Sequence, residues 1–233
     1  MAHDRVMKPI VCYVTDSQLL GPAGPPSHIL ATIEAAVGAG VDWVQIREKE
    51  MLARQLVAIA RGAVGMTRRK PPTSGEADRP RSQILVNDRL DVAIAADAAG
   101  VHLGRQSLPA HEVIGWRRRG KIATGFMVGL SCHTIDELCQ AEDAGADYAF
   151  FGPIFDTPAK RRFGPPLGIA KLAEACQATR LRVIAIGGIT PENTTECLHA
   201  GGAGIAAIRM FQQVREPAAL KEVVEGLHAL GHR

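Results

Sequence analysis

Apolar residues in this chain come in short runs, and each run is followed by a stretch where they recur at helical spacing. Residues 10–15 form the first run, which stops at Asp16 and predicts a strand. Ser27 then stands where a helix cap would, with Ile29, Leu30, Ile33 and Val37 on one face of the helix it would begin. The alternation repeats. Residues 43–47 predict a second strand, and Leu52, Leu56, Ile59 and Ala63 a helix after it. Further strands are predicted over 84–86, 100–103, 128–131, 148–151, 182–186 and 204–208. Further helices are predicted over 91–97, 112–119, 134–145, 169–176, 191–199 and 217–230. Thr134 and Glu137 have the spacing of a capping box. Thr190 and Pro191 read as a cap and a first helical residue.

Eight strands alternating with helices predict a parallel α/β fold. A doubly wound sheet uses the same alternation, but the glycine-rich strand ends of the second half, at Gly187-Gly188 and around Gly201-Gly202, favour a single (β/α)8 TIM barrel over residues 1–233. Two segments read as loops. Residues 67–82, rich in Arg, Pro and Gly, are expected on the surface, and residues 152–166 are long enough to line or cover a site.

Composition narrows the class. Hydrophobic residues are 46% of the 233, which excludes a disordered chain, and aromatics are only 4%, so the core has to be aliphatic and alanine-rich. A formal charge of +3 is too small for a nucleic-acid partner and fits a local anion site. The five cysteines (12, 132, 139, 176 and 197) are odd in number and lack metal-site spacing, so they are expected as buried free thiols in a reducing compartment. No apolar run reaches membrane-spanning length, and residues 1–9 lack a signal-peptide core. The expectation is a cytoplasmic protein acting on small phosphorylated substrates, without nucleic-acid or membrane partners. Its oligomeric state is left open, a homodimer among the options.

In a barrel, residues just after the strands gather at one end. Gln45, Arg47 and Lys49 follow strand 2, where alternation puts them on one side and the two cations suit a polyphosphate; a solvated charged turn is the plain alternative. Asn87 and Asp88 follow strand 3, where Asp88 can hold Mg2+ beside phosphate oxygens or cap the next helix. His102 sits inside strand 4 and reads as a satisfied interior residue. Ser131 and His133 follow strand 5 and can donate to a substrate. Lys160 in the long loop is a candidate phosphate contact or a basic surface turn, and Arg209 after strand 8 adds charge to a phosphate site or faces solvent. Gly-rich ends of strands 7 and 8 predict a phosphate site at Gly188 and the amides of Ile208 and Arg209.

Seven pieces in order carry a resemblance across nearly the whole chain: Val44-Gln45-Ile46-Arg47-Glu48-Lys49, Val86-Asn87-Asp88-Arg89, Gly100-Val101-His102-Leu103-Gly104, Ser131-Cys132-His133-Thr134, Gly145-Ala146-Asp147-Tyr148, Gly152-Pro153-Ile154-Phe155 and Ile186-Gly187-Gly188-Ile189. Together they resemble the superfamily of thiamine phosphate synthase and the TenI-type thiazole tautomerase. The synthase joins hydroxymethylpyrimidine pyrophosphate to thiazole phosphate. The resemblance implies Gln45 on the pyrimidine, and Arg47, Lys49, Asn87, Ser131 and Lys160 on the pyrophosphate. It implies Asp88 on Mg2+, and Thr157, Gly188 and the amides near Ile208 on the thiazole phosphate. It also carries three departures. Ser107 stands where the synthase has a second acidic metal ligand, Ala159 where it has a hydroxyl, and Arg209 where it has a serine. The tautomerase needs no metal and moves a proton with a histidine, a role His133 would take. A non-catalytic sensor of a phosphorylated ligand is the reading from a different class.

Overall fold

Each strand of this protein is short and nearly all buried, which is what a parallel sheet covered on both faces requires. The computed structural model describes residues 8–20, 26–68, 82–157, 164–214 and 216–231. Its strands are β1 (Ile10–Val14), β2 (Trp43–Ile46), β3 (Gln83–Asn87), β4 (Gly100–Leu103), β5 (Met127–Cys132), β6 (Tyr148–Phe151), β7 (Arg182–Ile186) and β8 (Gly204–Ala207). All pair in parallel in sequence order, and β8 returns to β1 through Ile10↔Gly204 to Tyr13↔Ala207, closing a (β/α)8 barrel. Between them run α1 (Pro26–Ala39), α2 (Ala53–Arg68), α3 (Leu90–Ala95), α4 (Ala110–Arg118), α5 (Ile135–Ala144), α6 (Gly168–Ala178) and α7 (Pro191–His199). A four-residue helix, α8 (Arg209–Gln212), and α9 (Pro217–Ala229) follow β8.

The period of two along each strand divides the core. Cys12, Val14, Trp43, Leu85, Tyr148, Phe150, Ile184 and Ala206 form one apolar cluster, which fills the barrel. Their strand neighbours, such as Val11, Val44, Val86, Ala149 and Ile205, belong to a second cluster with the helix faces. Interior space is tight. A Cβ on Gly129 would lie 2.0 Å from the Tyr148 ring, so β5 has to carry glycine there for β6 to place its tyrosine inside.

Polar clamps fix the ends of the barrel. At the start of β2, Asp42 accepts from Lys8 Nζ at 2.9 Å, from the Val11 amide at 2.9 Å and from His228 Nε2 at 2.8 Å, tying α9 to the first two strands. At the other end Gln212 of α8 donates to Tyr13 Oη at 3.2 Å and to the Asp16 carbonyl at 3.1 Å.

The predicted elements are all present, most with boundaries moved by a residue or two. Thr15 and Arg47 lie just outside their strands, because β1 ends at Val14 and β2 at Ile46. The helix expected to start after Ser27 begins at Pro26. Leu52 precedes α2 and is exposed, so it takes no part in the apolar face expected of it. The capping box of α5 is only half formed. Thr134 accepts from the Glu137 amide at 3.1 Å, but the Glu137 carboxylate reaches the His133 amide instead of that of Thr134. Most of the 67–82 segment, and residues 158–163 of the 152–166 loop, lie outside the described residues.

Candidate active site

Parallel strands deliver their C-terminal ends to one face, and polar or glycine residues follow the strands there. At the end of β1, Thr15 donates to Glu48 Oε1 at 2.6 Å while its oxygen accepts from the Arg47 amide at 2.9 Å. Glu48 also accepts from the Ser17 amide at 3.0 Å. Glu48 is 7% exposed, a buried carboxylate inside a stretch that reads as a charged turn. It knots the ends of β1 and β2 together and fixes where the chain leaves β2. The strand itself stops at Ile46. Gln45 is buried, Arg47 is half-buried with Nη1 3.7 Å from Asp16 Oδ2, and Lys49 is exposed.

A second chain of contacts crosses from β2 to the loop after β4. Gln45 Nε2 donates to Asn87 Oδ1 at 2.7 Å, and Asn87 Nδ2 donates to Asp88 Oδ2 at 2.5 Å. Asp88 Oδ1 accepts from the Gly104 amide at 3.1 Å and, in a short contact, from the Ser107 hydroxyl. Asp88 has a φ of 60°, an uncommon backbone for a residue other than glycine. Its carboxylate does not cap α3, whose cap position is Arg89 and lacks a side-chain hydrogen bond. Gln45 Oε1 is buried with no hydrogen-bond partner among the described residues. An orphaned buried carbonyl costs about 1–3 kcal/mol, which a ligand donor would recover.

Ser131 and His133 end and follow β5. Ser131 Oγ lies 2.9 Å from His102 Nε2, and His102 Nδ1 lies 3.1 Å from Tyr148 Oη. His102 is thus the satisfied interior residue expected. Burial pushes its pKa down to about 3, against the pull of Asp88, so it is neutral near pH 7. His133 Nδ1 contacts the Gly152 carbonyl, which can only accept, so Nδ1 carries a proton. Glu137 joins this corner to the next loop, since Arg105 Nη2 lies 2.8 Å from its Oε1. Burial would raise the Glu137 carboxyl, but Arg105 and the His133 amide outweigh it and hold it below its ordinary value.

After β7, Gly187 and Gly188 have φ values of 97° and 67°. The Ile154 amide donates to the Ile186 carbonyl at 2.9 Å and the Phe155 amide to the Gly187 carbonyl at 3.0 Å, so the β6 loop lies flat on this turn. A Cβ on Gly188 would come within 2.7 Å of Asp156 O and Phe155 Cβ. Thr157 closes the described part of that loop; Ala159 and Lys160 lie outside the described residues. Asn193 accepts from the Thr190 amide and donates to the Gly188 carbonyl, both at 2.9 Å, fixing α7 to the turn. Ile208 holds the N-cap position of α8 without a side-chain cap, and Arg209 at the helix start is exposed.

The structure thus joins Gln45, Asn87, Asp88 and Ser107 in one chain of bonds and Ser131 with His102 in another. Tyr148 and Glu48 are the parts that sequence reasoning did not assign to the site. A register between β4, β5 and β6 is what would have brought Tyr148 to His102.

A closed (β/α)8 barrel with its polar residues on the βα loops defines the class of barrel enzymes that carry their chemistry at that face. Comparison with known proteins narrows this. The thiamine monophosphate synthase family profile matches residues 11–211. A thiamine-phosphate synthase of Roseiflexus sp. (strain RS-1) is 34% identical over 221 residues, covering 95% of this chain and 84% of the relative. One from Chlorobium phaeobacteroides is 34% identical over 223 residues, covering 94% and 98%. Among solved structures, the thiamine phosphate pyrophosphorylase from Pyrococcus furiosus superposes with a TM-score of 0.76 at 27% identity, covering 96% of this chain and 97% of that one. The chain belongs to the thiamine monophosphate synthase family.

Proposed function

We propose that this chain joins hydroxymethylpyrimidine pyrophosphate to thiazole phosphate, forming thiamine phosphate and releasing pyrophosphate. Beside the family membership, the observation that carries this reading is Gln45. Its buried Oε1 has no partner among the described residues while its amide is held by Asn87, so it offers one acceptor of fixed direction to a ring amino group. In the reaction the bond from the pyrimidine methylene carbon to the pyrophosphate oxygen breaks, and the oxygen keeps the electron pair. The thiazole nitrogen lone pair then forms the new C–N bond. The protein has no need of a nucleophile; it has to neutralise the leaving group and align two rings.

The residues have separable tasks on this reading. Gln45 orients the pyrimidine. Arg47, Lys49, Asn87, Ser131 and Lys160 hold the pyrophosphate. Thr157, Gly188 and the first amides of α8 hold the thiazole phosphate, with Arg209 beside them. Three of the roughly four lone-pair directions of the Asp88 carboxylate are used by Asn87, Gly104 and Ser107. No group of three or more His, Cys, Asp or Glu gathers among the described residues. One carboxylate with a hydroxyl beside it fits Mg2+ when substrate oxygens and water complete an octahedron, and pyrophosphate supplies such oxygens. Bound at Asp88, Mg2+ would offset charge on the departing pyrophosphate. The thiols support a reducing compartment such as the cytoplasm: all five cysteines are free, and burial pushes Cys132 and Cys197 up to about 12. No helix among the described residues is long and apolar enough to cross a membrane.

The test is incubation with both substrates, with and without Mg2+, reading thiamine phosphate and pyrophosphate in equal amounts. Gln45→Leu is expected to raise KM for the pyrimidine substrate and leave that for thiazole phosphate unchanged. A second reading, the thiazole tautomerase, rests on His133, whose ring is oriented by its Nδ1 contact with the Gly152 carbonyl. Absence of coupling at saturating Mg2+, with isomerisation of the thiazole that His133→Asn abolishes, would select it. Binding without turnover of either kind would select a sensor.

A further inference from the structure

Three side chains on three neighbouring strands form a line from the barrel interior to its mouth: Tyr148 on β6, His102 on β4 and Ser131 on β5. We propose that Tyr148 and His102 are positioning residues that turn the Ser131 hydroxyl proton outward, toward the leaving pyrophosphate. This rests on the synthase reading for its destination, but the direction of the line follows from the structure.

The argument begins at the buried end. Tyr148 is fully buried, and among the described residues its hydroxyl has one partner, His102 Nδ1. A phenol with one neighbour in a dry core gives that neighbour its proton, because an unpaired buried O–H is the costlier alternative. Nδ1 therefore accepts. An imidazole that accepts at Nδ1 carries its one N–H on Nε2. Nε2–H donates to Ser131 Oγ at 2.9 Å. Ser131 accepts there, so its own proton cannot point back to His102 and has to leave in another direction. Ser131 is half-buried at the C-terminal end of β5, where the substrate face begins.

The rings are held so that the line cannot turn over. Gly129 leaves the room that the Tyr148 ring fills, and Trp43 lies against that ring with centroids 4.7 Å apart. Phe150 lies 4.3 Å from His102, centroid to centroid. The opposite tautomer would strand the Tyr148 proton and draw that of Ser131 inward, away from the substrate. A donor fixed in direction before the substrate arrives needs no reorganisation when charge develops on the leaving oxygen. His133, with its proton on Nδ1, provides an internal contrast.

Two measurements test this. In protein with 15N-labelled histidine rings, NMR should show His102 with a protonated Nε2 and a bare Nδ1, and His133 with a protonated Nδ1. In steady-state kinetics, Tyr148→Phe should lower kcat about fivefold, the equivalent of about one net hydrogen bond. KM for thiazole phosphate should not move. In the Ser131→Ala background the same substitution should leave kcat unchanged, because the group it acts through is gone. An Nδ1–H tautomer at His102 overturns the proposal, and needs no variant to be seen. So does an equal loss from Tyr148→Phe in both backgrounds, which would mark a structural role alone. A parent protein that forms no thiamine phosphate overturns the synthase reading. One that forms it with His102 protonated on Nδ1 overturns the line alone.

Discussion

Asp88 is held by three donors, and in the proposed synthase site the identity of one of them would decide how strongly it binds Mg2+. Ser107 brings a hydroxyl to the oxygen where a second carboxylate would bring charge. Hard-cation affinity grows with ligand charge. Ser107→Asp is therefore expected to lower the Mg2+ concentration for half-maximal coupling, and Asp88→Asn to raise it or abolish coupling. The paired carboxylates of Ser107→Asp should also repel each other without metal, so added Mg2+ should raise its Tm more than that of the parent. His102 makes a different prediction. Its pKa falls from an ordinary 6.5 to about 3 on folding because it is buried. Between those values the unfolded chain binds the proton and the folded chain does not, so acid favours unfolding. Stability is expected to fall as pH drops below 6.5, by up to about 1.4 kcal/mol per pH unit from this group. His102→Gln should flatten that part of a urea-unfolding pH series; an unchanged slope would assign the effect elsewhere.

The elements themselves were legible because each has a short-range signature. Residues 182–186 and 191–199 were readable to their last residue, since an apolar run, a Gly-Gly turn and Thr190-Pro191 punctuate them. The partners across elements were not legible. Nothing in Arg47-Glu48-Lys49 distinguishes the buried Glu48 from its exposed neighbour, because its partners Thr15 and Ser17 are over thirty positions away. The α5 cap shows the same limit. Thr134 and Glu137 have box spacing, but the Glu137 carboxylate is drawn to the His133 amide and to Arg105. Candidate site residues were found by type and position after strands, while the contact between His102 and Tyr148 needed the register of β4 through β6. That register is strict. Gly129→Ala is expected to cost about 3 kcal/mol, because its new Cβ would overlap the Tyr148 ring, and a cavity-forming second change, Tyr148→Leu, should recover part of the loss.

At the scale of the whole barrel, one carboxylate joins the first two strands to the last helix. Burial would raise the pKa of Asp42, but His228, the Val11 amide and Lys8 together hold it below its ordinary 3.8. A lowered carboxyl stabilises the fold fully above its unfolded value and loses that contribution as pH falls through the folded one. Asp42→Asn should therefore lower Tm at pH 7, and the gap from the parent should narrow as pH falls below about 4. A gap independent of pH would mean that Asp42 acts by shape alone.

The seam between β1 and β8 has a kinetic side. β1 is complete by Val14, yet its second neighbour spans Gly204–Ala207, almost the full chain away. During synthesis the ribosome delivers the first strand long before the last, so β1 waits with one edge bare while nearly two hundred residues emerge. The strand that closes the seam is also the one that leads into Ile208 and α8. Ring closure and completion of the substrate-facing end are thus a single late event. A nascent chain arrested before residue 204 would have most of its helices and all of the Gln45–Asp88 line in sequence, but no closed ring to hold them and no catalytic competence to lose.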